Sequence, residues 1–234
     1  MKNKKGELTT QQIIGLIVLI TSFAIILLFI FRLDLGETTN KEICHNSVLI
    51  QSQSALKTGG LDCKTNYVCI SGGEDCEGIN PTTTRYVNPA NENEIMGVIA
   101  DEMADCWWMF GEGKVDYVGD WISKPDLLET RHCAICSIVK FDSRIQERFP
   151  EITSERFYNY LFSKKFDDSQ TYLKYLYNLF SIPLDGQIED ISTREKYSVV
   201  TGMKDKEDYI RPYFIKTSEI EDKTPCEVFD LTKA

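Results

Sequence analysis

The chain has 234 residues, of which 26 are basic and 36 acidic, so its formal net charge at pH 7 is −10. Phosphate backbones and anionic headgroups repel an acidic chain, which disfavours nucleic acid as a partner and electrostatic docking on anionic lipid. Residues 1–33 carry four basic side chains and one acidic one, so the rest of the chain carries −13. About two hundred residues are enough to bury a hydrophobic core without depending on disulfides.

The first element is an apolar run of nineteen uncharged residues from Ile13 to Phe31. A helix of that length rises ~28 Å, which is close to the thickness of the hydrocarbon core of a bilayer. We therefore expect a transmembrane helix over residues 13–33, with the lipid bilayer as its surroundings. A short linker over residues 34–41 follows.

The charges around this run predict its orientation. Lys2, Lys4 and Lys5 precede it, so the positive-inside rule places residues 1–12 in the cytoplasm and the C-terminal domain outside the cell. The run is longer than the apolar part of a secretory signal, and no small-x-small cleavage site follows it. We expect an uncleaved signal anchor in the cell membrane.

The N-terminal residues also have the layout of a known class of signal segment. Lys4-Lys5-Gly6, a short polar stretch and the apolar helix resemble a type IV prepilin or archaeal class III signal segment. This resemblance implies cleavage after Gly6 and a pilin-like subunit. The whole chain is similar to uncharacterised single-span membrane proteins of archaea, which implies no activity.

Eight cysteines follow the apolar run. An even number on the predicted outer side is typical of an oxidising compartment and permits up to four disulfides. Eight cysteines admit 105 pairings, so the sequence leaves their connectivity open. The structural disulfide candidates are Cys44, Cys63, Cys69, Cys76, Cys106, Cys133, Cys136 and Cys226.

Strands and one long helix are predicted in the first half of the domain over residues 42–234. β-branched and aliphatic residues predict strands over residues 42–52, 67–70 and 82–87. A helix is predicted from Glu92 to about Phe110, since apolar residues recur at helical spacing and an asparagine precedes a glutamate by three positions.

The polar side of this helix carries Asp101, Glu102 and Asp105, which we interpret as a solvated acidic face. Trp108 also falls on that side of the helical wheel. An exposed tryptophan there would indicate a partner surface, whereas packing under the following loop is the alternative.

A strand is predicted over residues 131–141, and it contains Cys133 and Cys136 beside His132. Two cysteines at this spacing can form a redox dithiol or half of a zinc site. Residues three apart in a strand point to opposite faces, however, so the two thiols are expected to pair with separate cysteines.

The last third of the chain alternates helices and strands. Two helices are predicted near residues 153–164 and 170–180, with tyrosine and phenylalanine at helical spacing. Strands are predicted at 196–201, 209–216 and 227–231, and Pro212 suits an edge strand because it has no amide hydrogen to donate.

These patterns predict an α+β fold with one N-terminal transmembrane helix and a cysteine-rich extracytoplasmic domain. No catalytic motif is present, since neither Gly-x-Ser-x-Gly nor His-Glu-x-x-His occurs. We expect a membrane-anchored structural or interaction protein without a cofactor, with a protein partner or a second copy of the chain. The alternatives are the pilin-like subunit and a thiol- or metal-dependent enzyme using Cys133 and Cys136.

Overall fold

The structure is a computed structural model. It describes residues 10–32, 40–53, 60–118, 131–178, 189–203, 209–220 and 226–229, with the side chains at 10–12, 26–32, 131 and 226–229 excepted. Two compact units divide the chain, residues 1–39 and residues 40–234.

The first unit contains helix α1, Thr10–Arg32. Within it, the Thr21 hydroxyl donates a hydrogen bond to the carbonyl of Ile17 at 2.9 Å, so this polar side chain is satisfied by its own helix. Among the described residues, we find no helix with both the length and the apolar character needed to cross a membrane.

That finding contradicts the transmembrane helix predicted over residues 13–33, and with it the single-pass localisation and the membrane and signal-anchor assignments. The cleavage after Gly6 that the prepilin resemblance implies lies outside the described residues.

The second unit contains helices and strands in mixed order. In its described part they are α2 (Asn40–Gln53), β1 (Asn66–Ser71), β2 (Thr83–Tyr86), α3 (Glu92–Met109), β3 (Arg131–Phe141), α4 (Ser143–Arg148), β4 (Glu151–Ile152), α5 (Ser154–Ser163), α6 (Tyr172–Tyr177), β5 (Ile191–Ser192), β6 (Tyr197–Met203), β7 (Tyr209–Lys216) and β8 (Cys226–Phe229). Short 3-10 turns follow α3 and β7 at Gly111–Gly113 and Thr217–Glu219.

Six of these strands form one mixed sheet in the order β2-β1-β3-β6-β7, and β8 pairs with the beginning of β3. β1 runs parallel to both β2 and β3, whereas β6 runs antiparallel to both β3 and β7. β4 and β5 form a separate antiparallel pair. The fold is therefore α+β, and Pro212 lies in an edge strand as predicted.

Helix α3 is the centre of the core. The Asn91 side chain caps its N-terminus by accepting a hydrogen bond from the amide of Asn93, and Glu94 accepts one from the amide of Asn88. The helix lies against β6 and β7 and is flanked by α2, α5 and α6. Most of its apolar residues are buried in the main hydrophobic cluster, and Ile95 and Ile99 are fully enclosed.

The strand predicted over residues 42–52 is wrong, because this segment is helix α2. Cys44, Val48 and Gln51 are its buried residues. They recur at intervals of four and three, which is the spacing of one helical face and not the alternation of a strand. Contact with α3 therefore buries one stripe of α2.

Disulfide bonds are confirmed. Cys44 is bonded to Cys63, Cys69 to Cys76 and Cys106 to Cys136, with Cα–Cα distances of 4.3, 5.7 and 5.5 Å. Cys133 is also disulfide-bonded. The three described bonds tie α2 to the loop after it, β1 to its own loop, and α3 to the central strand β3.

Candidate functional site

Ionisable and aromatic side chains gather on the side of α3 that α2 and α6 flank. We call this group the outer-face cluster. It brings together residues from four helices, one strand and one turn: Lys41, His45, Arg85, Asp101, Glu102, Asp105, Trp108, Glu112, Tyr160, Tyr172 and Tyr175.

One part of the outer-face cluster is an ion-paired triad. Lys41 Nζ lies 3.2 Å from Glu102 Oε1 and 2.5 Å from Asp105 Oδ2. Burial raises the pKa of Glu102, although the charge of Lys41 opposes this effect. Burial alone would lower the pKa of Lys41, but Glu102 and Asp105 outweigh it and leave that pKa raised. The predicted solvated acidic face is therefore wrong for Glu102, whose side chain is 2% exposed.

Asp101 connects three elements. Its Oδ2 accepts a hydrogen bond from Arg85 Nη2 on β2 at 3.1 Å, and its Oδ1 accepts one from the Tyr172 hydroxyl on α6 at 2.5 Å. Burial and the hydrogen bond to Asp101 raise the pKa of Tyr172. Its hydroxyl therefore remains a hydrogen-bond donor at neutral pH.

Glu112 and Tyr175 form a similar pair. The Tyr175 hydroxyl donates to Glu112 Oε1 at 2.8 Å, and burial together with this bond raises the pKa of Tyr175. Phe166 stacks on the Tyr175 ring with centroids 4.0 Å apart. Tyr172 and Tyr175 therefore pack against Phe166 in one aromatic layer, and both of their hydroxyls donate to carboxylates.

Trp108 packs against His45, with ring centroids 3.9 Å apart and planes inclined by 15°. His45 Nδ1 also lies 2.7 Å from the Trp108 carbonyl oxygen. A carbonyl oxygen only accepts hydrogen bonds, so we place a proton on Nδ1 of His45. Trp108 is therefore half-buried against α2, which argues against an open tryptophan surface, although the residue that covers it lies on α2 and not in the following loop.

A groove adjoins this cluster between β2, α3 and α5. We call it the β2–α5 groove. Its volume is about 450 Å³, and its lining includes Arg85, Tyr86, Val87, Asn91, Asn93, Glu94, Gly97, Val98, Asp101, Tyr160 and Lys164. Arg85, Asp101 and Tyr160 belong to both the groove and the outer-face cluster, so the two surfaces are continuous.

Groups in the β2–α5 groove remain open to a ligand. Tyr86 is 79% exposed. Within the part of the chain that the structure describes, neither the Tyr160 hydroxyl nor Lys164 Nζ has a hydrogen-bond partner. Gly97 lies in the floor of the groove and has no side chain to fill it. A Cβ at this position would lie 2.9 Å from the Tyr160 hydroxyl oxygen.

The two cysteines singled out by their spacing do not form a site. Cys136 is bonded to Cys106 and lies in the main core, whereas Cys133 belongs to a second cluster with Val200 and Ile210. His132 lies beside them on β3. No group of histidine, cysteine or acidic side chains suited to a metal ion occurs among the described residues.

Reasoning from the sequence found three carboxylates of the cluster but missed the cations and hydroxyls that pair with them. Lys41, Arg85 and Tyr172 lie 61, 16 and 71 positions from their carboxylate partners. No local pattern links residues so far apart. Comparison of the chain with protein-family models, characterised proteins and solved structures gives no match, so its chemistry alone supports a functional proposal.

Proposed function

We propose that residues 40–234 form a non-catalytic structural or interaction domain that binds a protein partner through the β2–α5 groove. The observation that carries this proposal is a contrast between neighbouring surfaces. The acidic and basic side chains at the centre of the outer-face cluster are paired with one another. Tyr86, Tyr160 and Lys164 line the groove instead, where their rings or polar atoms are available to a ligand.

The chemistry of the outer-face cluster argues against catalysis on a second molecule. A general acid or base needs access to substrate and a pKa near the working pH. The pKa values of Tyr172 and Tyr175 are raised away from neutrality by burial and by their carboxylate partners. Glu102 has a raised pKa, but it is buried beneath Lys41.

An extended peptide suits the groove. β2 is the terminal strand of the sheet, so one of its edges has no neighbouring strand in the described part of the chain. Peptides commonly add to such edges through main-chain hydrogen bonds, with side chains entering adjacent pockets. The groove volume lies within the ~300–1,000 Å³ range of ligand sites, and its open donors suit carbonyl or carboxylate oxygens.

A capture experiment on the full, disulfide-bonded chain tests this proposal. Proteins retained by the wild-type chain are compared with those retained by the double variant Tyr86→Ser, Lys164→Glu. The matched control is Ile50→Ser, which removes a 71% exposed apolar side chain on α2, outside the groove.

We expect one partner that the wild type and the Ile50→Ser control bind and the groove variant loses by at least about tenfold, or ~1.4 kcal/mol. Its binding segment is then titrated as a synthetic peptide against the three purified chains. Equal affinity for the groove variant would overturn the assignment of the groove, and a wild-type chain that binds no partner would count against the function itself.

A further inference from the structure

We propose that the side chains of Lys41 and Asp105 become joined by an amide bond, with Glu102 relaying the protons. This covalent link would be a modification built into the fold. It is independent of the partner-binding role proposed for the groove, because it needs no second molecule.

The reacting groups are already in contact. Lys41 is the second residue of α2, and its Nζ touches both Asp105 Oδ2 at 2.5 Å and Glu102 Oε1 at 3.2 Å. Holding a nucleophile and an acyl group in such contact replaces an encounter in solution, with effective molarities of about 10⁵–10⁸ M in favourable cases.

The surroundings differ around the three side chains. Glu102 is enclosed, as a proton relay requires, because a carboxyl group cut off from water takes up and returns protons locally. Lys41 is 24% exposed and lies between the two carboxylates. Asp105 is 42% exposed, which leaves a path by which a released water molecule can depart.

The reaction balances without any other reactant. The resting pair holds an ammonium group and a carboxylate, so a proton first moves from Lys41 Nζ to Glu102. The nitrogen lone pair then attacks Asp105 Cγ, and a C–N bond forms. Glu102 returns its proton to the departing oxygen, a second nitrogen proton joins it, and the C–O bond breaks. The products are one amide and one water molecule.

Two disulfides lie next to the reacting residues. Cys44 on α2 is bonded to Cys63, and Cys106 on α3 is bonded to Cys136 on β3. An amide between Lys41 and Asp105 would add a covalent link from α2 to α3.

Intact mass spectrometry of the full chain, reduced and alkylated, tests the proposal. The expected mass is that of the sequence, after correction for alkylation, minus one water molecule. Proteolysis should release a branched peptide that contains both Lys41 and Asp105, and its fragmentation should place the link between those two side chains. A full-mass protein with separate Lys41 and Asp105 peptides would show an ion pair only and would overturn the proposal.

Variants test the role of each group. Glu102→Gln preserves the side-chain shape but cannot relay protons, so we expect the folded variant to keep its full mass. Lys41→Arg retains the positive charge but has no amine that can be acylated, so this variant should also keep its full mass. Circular dichroism confirms that each variant is folded. Loss of water that persists in Glu102→Gln, or a link placed on Glu102, would overturn the assigned roles.

Discussion

Cys136 on β3 is bonded to Cys106 on α3, with their Cα atoms 5.5 Å apart. β3 is the central strand of the sheet, since β1 and β8 pair along one edge and β6 along the other. The bond therefore ties the most buried helix to the strand on which the sheet is built.

Removing this bond is expected to destabilise the domain more than removing the bond within the loop after β1. The Cys106–Cys136 bond closes a sequence separation of 30 residues, whereas the Cys69–Cys76 bond closes one of 7. Loop-closure entropy alone predicts a difference of about 1.3 kcal/mol, on top of a typical total of ~2–4 kcal/mol for one disulfide. Urea unfolding of the two double Cys→Ala variants measures the free energies. Equal losses would show that the entropy of the unfolded chain does not set their ranking.

The buried carboxylate of Asp142 is expected to contribute strongly to stability. Its Oδ2 accepts hydrogen bonds from the amides of Gly72 and Glu74 at 2.7 and 2.9 Å, and its Oδ1 accepts one from Ile145 at 3.0 Å. Replacing it by alanine leaves these donors unsatisfied, so we expect Asp142→Ala to cost about 3 kcal/mol.

The control for this variant is Asp190→Ala. Asp190 is exposed and accepts from the amide of Ser154 at 2.7 Å. Water replaces such a bond, so a cost below about 1 kcal/mol is expected. Chemical denaturation measures the loss in free energy of unfolding for both variants. Similar losses would show that the burial of Asp142 does not set the strength of its contribution.

Gly97 and Tyr160 should be energetically coupled. A Cβ at Gly97 would lie 2.9 Å from the Tyr160 hydroxyl oxygen but 3.7 Å from the ring carbon that bears it. Alanine favours a helix over glycine by about 1 kcal/mol, so Gly97→Ala should stabilise a Tyr160→Phe protein by that amount. With Tyr160 present the gain should be smaller or absent. A double-mutant cycle measures the coupling, and strict additivity would contradict it.

Stability should depend on pH through Glu102. Burial raises its folded-state pKa above the ordinary value of 4.5, so the folded protein holds this proton more tightly than the unfolded chain. The wild type should therefore lose stability relative to Glu102→Gln as pH rises from 4.5 through the folded pKa, and the difference should then stay constant. Urea titrations of both proteins at several pH values measure this, each in a Lys41→Arg background so that neither carries the amide proposed between Lys41 and Asp105. Parallel stability curves would contradict a raised folded-state pKa.

Local sequence determined several elements because their signals lie within a few residues. The cap at Asn91, the apolar repeat after it and the glycines beyond Phe110 delimit α3. The β-branched run from Arg131 to Phe141 forms β3, and its geometry separates Cys133 from Cys136. These features depend on backbone propensity and side-chain periodicity, which act along the chain.

Only the tertiary structure decided the rest. The segment at 42–52 is helical because α3 buries one stripe of it. Glu102 occupies the polar side of its own helix, yet it is enclosed because α2 brings Lys41 over it. Cys106 meets Cys136 because the helix lies across the strand. Each outcome depends on contacts between residues distant in the chain, and these form only when the whole core is packed.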